Sequence, residues 1–98
     1  MTIQQTKNGN ALTIALEGRL DTMTAPELEA ALKTALEGVL DLTFDFEKLD
    51  YISSAGLRVL LAAQKTMNQQ GSMKVKNANE IIMEIFEVTG FADILTIE

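Results

Sequence analysis

Two adjacent hydroxyls, Ser53 and Ser54, stand between the apolar Tyr51-Ile52 pair and Ala55-Gly56-Leu57, where a helical pattern begins. Serines at such a junction can do two kinds of work. A serine just before the first helical residue can accept a hydrogen bond from an otherwise unpaired backbone N–H, a cap worth about 0.5–2 kcal/mol. A serine there is also a good place for a phosphate, because the free N–H groups and partial positive charge of a helix start favour an anion. Ser54, one residue before Ala55, can serve as the N-cap, and the residues alone leave both readings open. A phosphoserine brings a charge of about −1.5 to −2 at pH 7. On a docking surface that charge could break an interface without refolding the domain.

The chain is poor in other chemistry. It has no histidine, which excludes a Ser-His-Asp triad and a histidine-bearing metal site. It has no cysteine, hence no thiolate metal site and no disulfide framework. Neither a GxxxxGK[ST] sequence nor a GxGxxG fingerprint is present, so nucleotide binding has no motif here. Asp45 and Glu47 form a carboxylate pair, but strand alternation puts both on one solvated face. The expectation is a protein that is not an enzyme, with no cofactor and no metal.

Composition narrows the partner. The net charge of −6, from 14 acids and 8 bases, opposes binding to nucleic-acid phosphates and suits a basic or neutral protein partner. No apolar stretch approaches the ~20 residues that cross a bilayer. The opening MTIQQTKNGN lacks the apolar core of a signal peptide. The expectation is a cytoplasmic, monomeric protein without a membrane partner. A length of 98 residues fits one domain, spanning 1–98. Only 5% of the residues are aromatic against 47% apolar overall, so the core must be mainly aliphatic.

The elements that must position the serines follow from periodicity. Ile3 to Thr6 reads as an edge strand, Asn8-Gly9-Asn10 as a turn, and Ala11 to Glu17 as a strand with Leu12, Ile14 and Leu16 on one face. Gly18-Arg19-Leu20-Asp21 breaks that pattern and leads to Thr24-Ala25-Pro26-Glu27, which has the form of a capping box. Leu28, Ala31, Leu32, Ala35 and Leu36 give a helical stripe that Gly38 stops. Val39 to Phe46 reads as a strand burying Leu40, Leu42, Phe44 and Phe46, with Glu47 to Asp50 as a loop. The helix after the serines buries Leu57, Leu60, Leu61 and Met67, exposes Arg58, Lys65, Asn68 and Gln69, and ends at Gly71. Met73 to Lys76 is a short strand, Asn79 caps a helix from Glu80 to Val88 that ends at Gly90, and Ile94 to Ile97 is a last strand. Helices alternating with strands imply crossovers and a largely parallel sheet, and the opening hairpin makes it mixed. The fold class is α/β, with an N-terminal β-hairpin and three main α-helices.

Tyr51-Ile52-Ser53-Ser54-Ala55-Gly56-Leu57 resembles the signature loop of bacterial anti-sigma factor antagonists, single-domain members of the sulfate transporter and anti-sigma antagonist (STAS) group. Gly18-Arg19-Leu20-Asp21 with Thr24-Ala25-Pro26 is similar to the family's first loop, and Ile85 to Phe91 to its closing helix and turn. The resemblance implies a STAS fold and a partner switch. An unphosphorylated antagonist binds an anti-sigma factor that is also a serine kinase, freeing a sigma factor. The kinase phosphorylates the antagonist and is released, and a serine phosphatase resets the switch. The acceptor position maps to Ser54, two residues before Gly56, with Ser53 as second choice. The implied partner-binding residues are Asp21, Thr22, Ser53, Ser54, Ala55, Gly56 and Arg58. Many family members read Asp-Ser-Ser/Thr-Gly-Leu, whereas here Ser53 stands in place of the Asp and Ala55 in place of the second hydroxyl. An alternative role is a STAS adaptor subunit of a transporter or signalling assembly, bound without phosphorylation.

Overall fold

Gly9, at φ +63°, lets the chain reverse after Asn8 and lays β1 (Thr2–Asn8) antiparallel to β2 (Ala11–Leu20), with Ile3 opposite Leu16 and Asn8 opposite Ala11. A computed structural model describes all 98 residues. Leu12, Ile14 and Leu16 alternate along β2 and are buried, as their period of two requires. The strand does not break at Gly18, contrary to the expectation from Gly18-Arg19-Leu20-Asp21. It continues to a fully buried Leu20, with Gly18 at φ +104° absorbing the local irregularity.

The remaining elements are α1 (Ala25–Ala35), β3 (Asp41–Ile52), α2 (Ser54–Gln70), β4 (Ser72–Lys76), α3 (Glu80–Thr89) and a 3₁₀ turn at Phe91–Asp93. The four strands lie in the order β1-β2-β3-β4, and β2, β3 and β4 run parallel. Parallel neighbours need crossovers, which α1 and α2 supply. Their apolar stripes meet the strand face that carries Leu12, Ile14, Leu42, Phe44, Met73 and Val75 in one cluster of 24 buried residues. The opposite sheet face is polar, with Thr13, Thr43 and Lys74 in register across the three parallel strands. The mixed, largely parallel sheet, opening hairpin and three helices match the expected fold class. No helix is long and apolar enough to cross a membrane.

The third strand departs most from the sequence reading. Glu47 to Asp50 is not a loop, because β3 runs unbroken to Ile52. The register against β2 shifts between Ala15 and Glu17 and again between Gly18 and Arg19. Each shift places an extra residue on β3, so the buried positions Phe46, Leu49 and Ile52 fall three apart instead of two. Leu40, expected inside, is 49% exposed, while Val39 is fully buried. Leu40 precedes the strand, and its backbone is held instead by bonds with Asn10 and Ser72.

At the C-terminal end, Ile94 to Ile97 does not form a full strand. Residues 91–93 wind into the 3₁₀ turn, and only Ile97 bridges Val75. In α2, Leu57, Leu60 and Met67 are buried as expected, but Leu61 is only half-buried, and Val59, Ala63 and Gln64 join the interior. Helix α3 matches its reading closely. Asn79 Oδ1 accepts from the Ile82 N–H at 2.8 Å, and Gly90 ends the helix at φ +82°. At the far end of the helical layer, Gln70 Nε2 donates to the carbonyls of Leu36 and Val39, both at 2.7 Å. It thereby bonds two carbonyls of the turn after α1 and ties the end of α2 to it.

Candidate functional site

Leu20 and Ile52 are the last residues of β2 and β3, and they are register partners. The loops that follow therefore leave the sheet side by side, at the carboxyl end of two parallel strands. Open α/β sheets form their sites at such strand ends. The Ser53 N–H donates to the Leu20 carbonyl at 2.9 Å and continues the ladder one residue beyond the strand. This contact brings Asp21 and Thr22, from the first loop, next to the serine junction.

The first loop is fastened by its own side chains. Asp21 Oδ1 accepts from the Met23 N–H at 3.0 Å and from the Thr24 N–H at 3.1 Å. The Thr24 hydroxyl accepts from the Asp21 N–H at 2.8 Å and donates to the Arg19 carbonyl at 2.8 Å. The expected capping box is absent. Thr24 has helical dihedrals and makes no side-chain cap bond to α1, because its hydroxyl is committed backwards to Arg19 and Asp21. Pro26 does lie in the first turn, where its missing N–H costs nothing.

Partial desolvation works to raise the Asp21 pKa. The N–H groups of Thr24 and Met23, the Thr24 hydroxyl and the Arg19 guanidinium outweigh it and hold the carboxyl below the usual range. Arg19 Nε lies 3.7 Å from Asp21 Oδ2, and its guanidinium carbon sits 4.5 Å from the centre of the Tyr51 ring. Arg19 and Tyr51 are cross-strand partners, so this stack follows from the register.

The serine junction is arranged differently from the expectation. Ser53, not Ser54, is the N-cap of α2. Its extended backbone (φ −99°, ψ 176°) aims the side chain along the helix, and its Oγ accepts from the Gly56 N–H at 3.5 Å, a long bond. Ser54 is already the first helical residue, so its side chain points outward; it is exposed and its hydroxyl makes no hydrogen bond within the protein. The helix starts one residue earlier than the sequence implies, because a Ser-Ser pair offers either residue as the cap.

The other expected site residues divide by exposure. Ala55 is half-buried, Gly56 is buried, and Thr22 and Arg58 are exposed. A Cβ on Gly56 would lie 2.7 Å from Leu20 Cγ, 2.8 Å from Ile52 Cγ1 and 3.0 Å from the Leu20 carbonyl oxygen. Only glycine lets the first turn of α2 settle against both strand ends. Thr22, Ala55 and Arg58 share a shallow depression of about 180 Å³ with Pro26 and Glu29 of α1. The seven expected residues thus occupy one corner of the molecule. Met23, 86% exposed on the same loop, was not singled out from the sequence. Its signal was an apolar residue between two threonines with no place in the helical stripe. The Arg19–Tyr51 stack was also missed, since it depends on a register that two bulges set.

The anti-sigma-B factor antagonist of Bacillus subtilis is 32% identical over 92 residues, covering 93% of this chain and 84% of that protein. Among solved structures, the Bacillus anti-sigma factor antagonist SpoIIAA in its unphosphorylated form superposes with a TM-score of 0.78 at 20% identity, covering 99% of this chain and 87% of that one. Its phosphorylated form superposes with a TM-score of 0.77, also at 20% identity, covering 99% and 91%. A family model described as "Mlab, STAS domain" matches residues 3–96. With nearly every residue inside that match, and the strand order and helix starts described above, this chain belongs to the STAS domain family.

Proposed function

We propose that this chain is an anti-sigma factor antagonist that works as a phosphorylation-controlled partner switch, with Ser54 as the phosphoacceptor. In the unphosphorylated state, the corner built from Asp21, Thr22 and the start of α2 docks on an anti-sigma factor that is also a serine kinase. Phosphate on Ser54 ends that docking, and a serine phosphatase restores it. The observation that carries this reading is the division of labour between the serines. Ser53 caps α2, which leaves Ser54 exposed and unengaged at the first residue of the helix. The name of the Bacillus subtilis relative and the two phosphorylation states of SpoIIAA support it. An acidic chain of net charge −6 fits a partner with a basic or neutral docking face.

The switch needs no motion in this domain. A phosphate at N1 is compatible with the helix, and the charge itself changes the interface. Burying an unpaired charge costs about 2–5 kcal/mol, roughly 30-fold to several thousandfold in affinity. Ser54→Asp is expected to weaken binding to the cognate anti-sigma factor at least about 30-fold, and Ser54→Ala to leave it nearly intact. Titration calorimetry of the two variants measures this, and equal affinities would overturn the reading.

Ser53 in place of the family's usual Asp favours a second reading, a STAS adaptor that stays bound to its assembly without phosphorylation. Intact-mass spectrometry of protein recovered from its own host separates the two. The switch predicts a phosphate on Ser54 that changes with growth condition, and the adaptor predicts none.

A further inference from the structure

Helix starts commonly carry an acidic side chain, and two of the three helices here follow that habit, with Glu27 in the first turn of α1 and Glu80 in that of α3. The first turn of α2 has no acid. One turn further along, Arg58 is exposed and has no ionic partner, since the ion pairs of the molecule are Arg19 with Asp21 and Lys74 with Glu98. Ser54 and Arg58 are separated by four residues on the same helix, so they are neighbours on one face. An anion four residues before a cation is also the more favourable order along a helix. A helix that lacks its usual acid, yet keeps a free arginine one turn after an exposed hydroxyl, has the layout of an ion pair missing its negative member.

We propose that Arg58 is the internal receiver of a phosphate on Ser54: in the phosphorylated protein its guanidinium folds back along α2 and pairs with the phosphate oxygens. This inference rests on the Ser54 reading above and adds to it. A guanidinium fork matches phosphate geometry, and a charge-assisted pair of this type is short and directional. The surrounding charges do not pre-empt it. Glu29 of α1 lines the same depression but forms no ion pair with Arg58, and Asp21 is engaged by Arg19. Phosphorylation would then alter the docking corner twice. It adds a negative group at Ser54, and it withdraws the Arg58 guanidinium from contact with the partner.

The test uses phosphoserine placed at position 54 by genetic encoding, so that no kinase is needed. A nearby cation favours the dianionic phosphate and lowers its second pKa. Phosphorus NMR titration of the phosphoprotein is expected to show that pKa rising by about 0.3 or more in Arg58→Ala. Arg58→Lys should retain part of the effect as a point charge. Arg58 is exposed, and circular dichroism checks that each variant is folded. Superimposable titrations of the parent and Arg58→Ala phosphoproteins would overturn the proposal. Binding assays on the same samples separate the two readings. A shifted titration with docking unaffected by phosphate keeps the clamp and removes the switch. An unshifted titration with docking lost on phosphorylation removes the clamp and keeps the switch.

Discussion

Two helices start side by side at the ends of β2 and β3, and they start in opposite ways. Before α1, the polar side chains Asp21 and Thr24 are both committed within the loop, to Met23, to Arg19 and to each other. Before α2, Ser53 makes one long bond, a glycine replaces side-chain fastening by close packing, and Ser54 is left over. The first loop uses its polar groups to hold a shape. The second obtains its shape from the backbone and from Gly56, and so leaves the Ser54 hydroxyl without a structural task. The proposed switch relies on this separation, since a hydroxyl that also held the helix would couple phosphorylation to unfolding.

This contrast can be pressed experimentally. After the docking loss expected for Ser54→Asp, the largest effect belongs to Gly56→Ala. Its methyl must displace Leu20 and Ile52 at the very end of the sheet, and overpacking of this kind costs about 1–3 kcal/mol. Urea unfolding should show the loss as a lower midpoint, whereas an unchanged midpoint would mean that the close packing does not set the position of α2. Next comes Asp21. Its lowered pKa means that its contribution is fully present above the ordinary aspartate value of about 3.9 and is lost as pH falls through the lower folded value. Asp45 is held down in the same direction, chiefly by the Asn77 amide at 3.0 Å. Thermal melts in acid should therefore fall less steeply for Asp21→Asn than for the parent, and identical profiles would deny the loop its charge-based fastening. The smallest effect distinguishes the serines. Ser53→Ala should cost about 0.5 kcal/mol, the low end for a cap because its bond is long, and Ser54→Ala about zero. The reverse order would return the cap to Ser54.

The fold was largely legible where one periodicity ran unbroken. Leu28, Leu32 and Leu36 announced α1, and Asn79 with Gly90 bracketed α3, because caps and stripes are local. The second half of β3 was not legible. Its bulges stretch the buried spacing to three at Phe46, Leu49 and Ile52, which matches neither a strand nor a loop template. The last segment misled in the other direction, since Ile94 to Ile97 reads as a strand in composition but yields a single bridge. For the site, the gathering of Asp21, Thr22 and the α2 start came from the family resemblance, and the strand pairing of Leu20 with Ile52 supplies its physical reason. Which serine caps the helix was beyond the sequence, since it depends on the dihedrals of one residue.

The hydrogen bond from Ser53 to Leu20, with Gly56 seated on the same residue, bears on the tempo of partner exchange. Because both loops are fixed to one strand pair, they reach an incoming protein at a set spacing, and no segment has to order on contact. Docking of two prepared surfaces typically proceeds at about 10⁵–10⁷ per molar per second, with variation among related complexes falling mainly in the dissociation rate. In the switch proposed above, the lifetime of the complex is then the quantity that a phosphate on Ser54 shortens, while the frequency of encounters stays nearly constant.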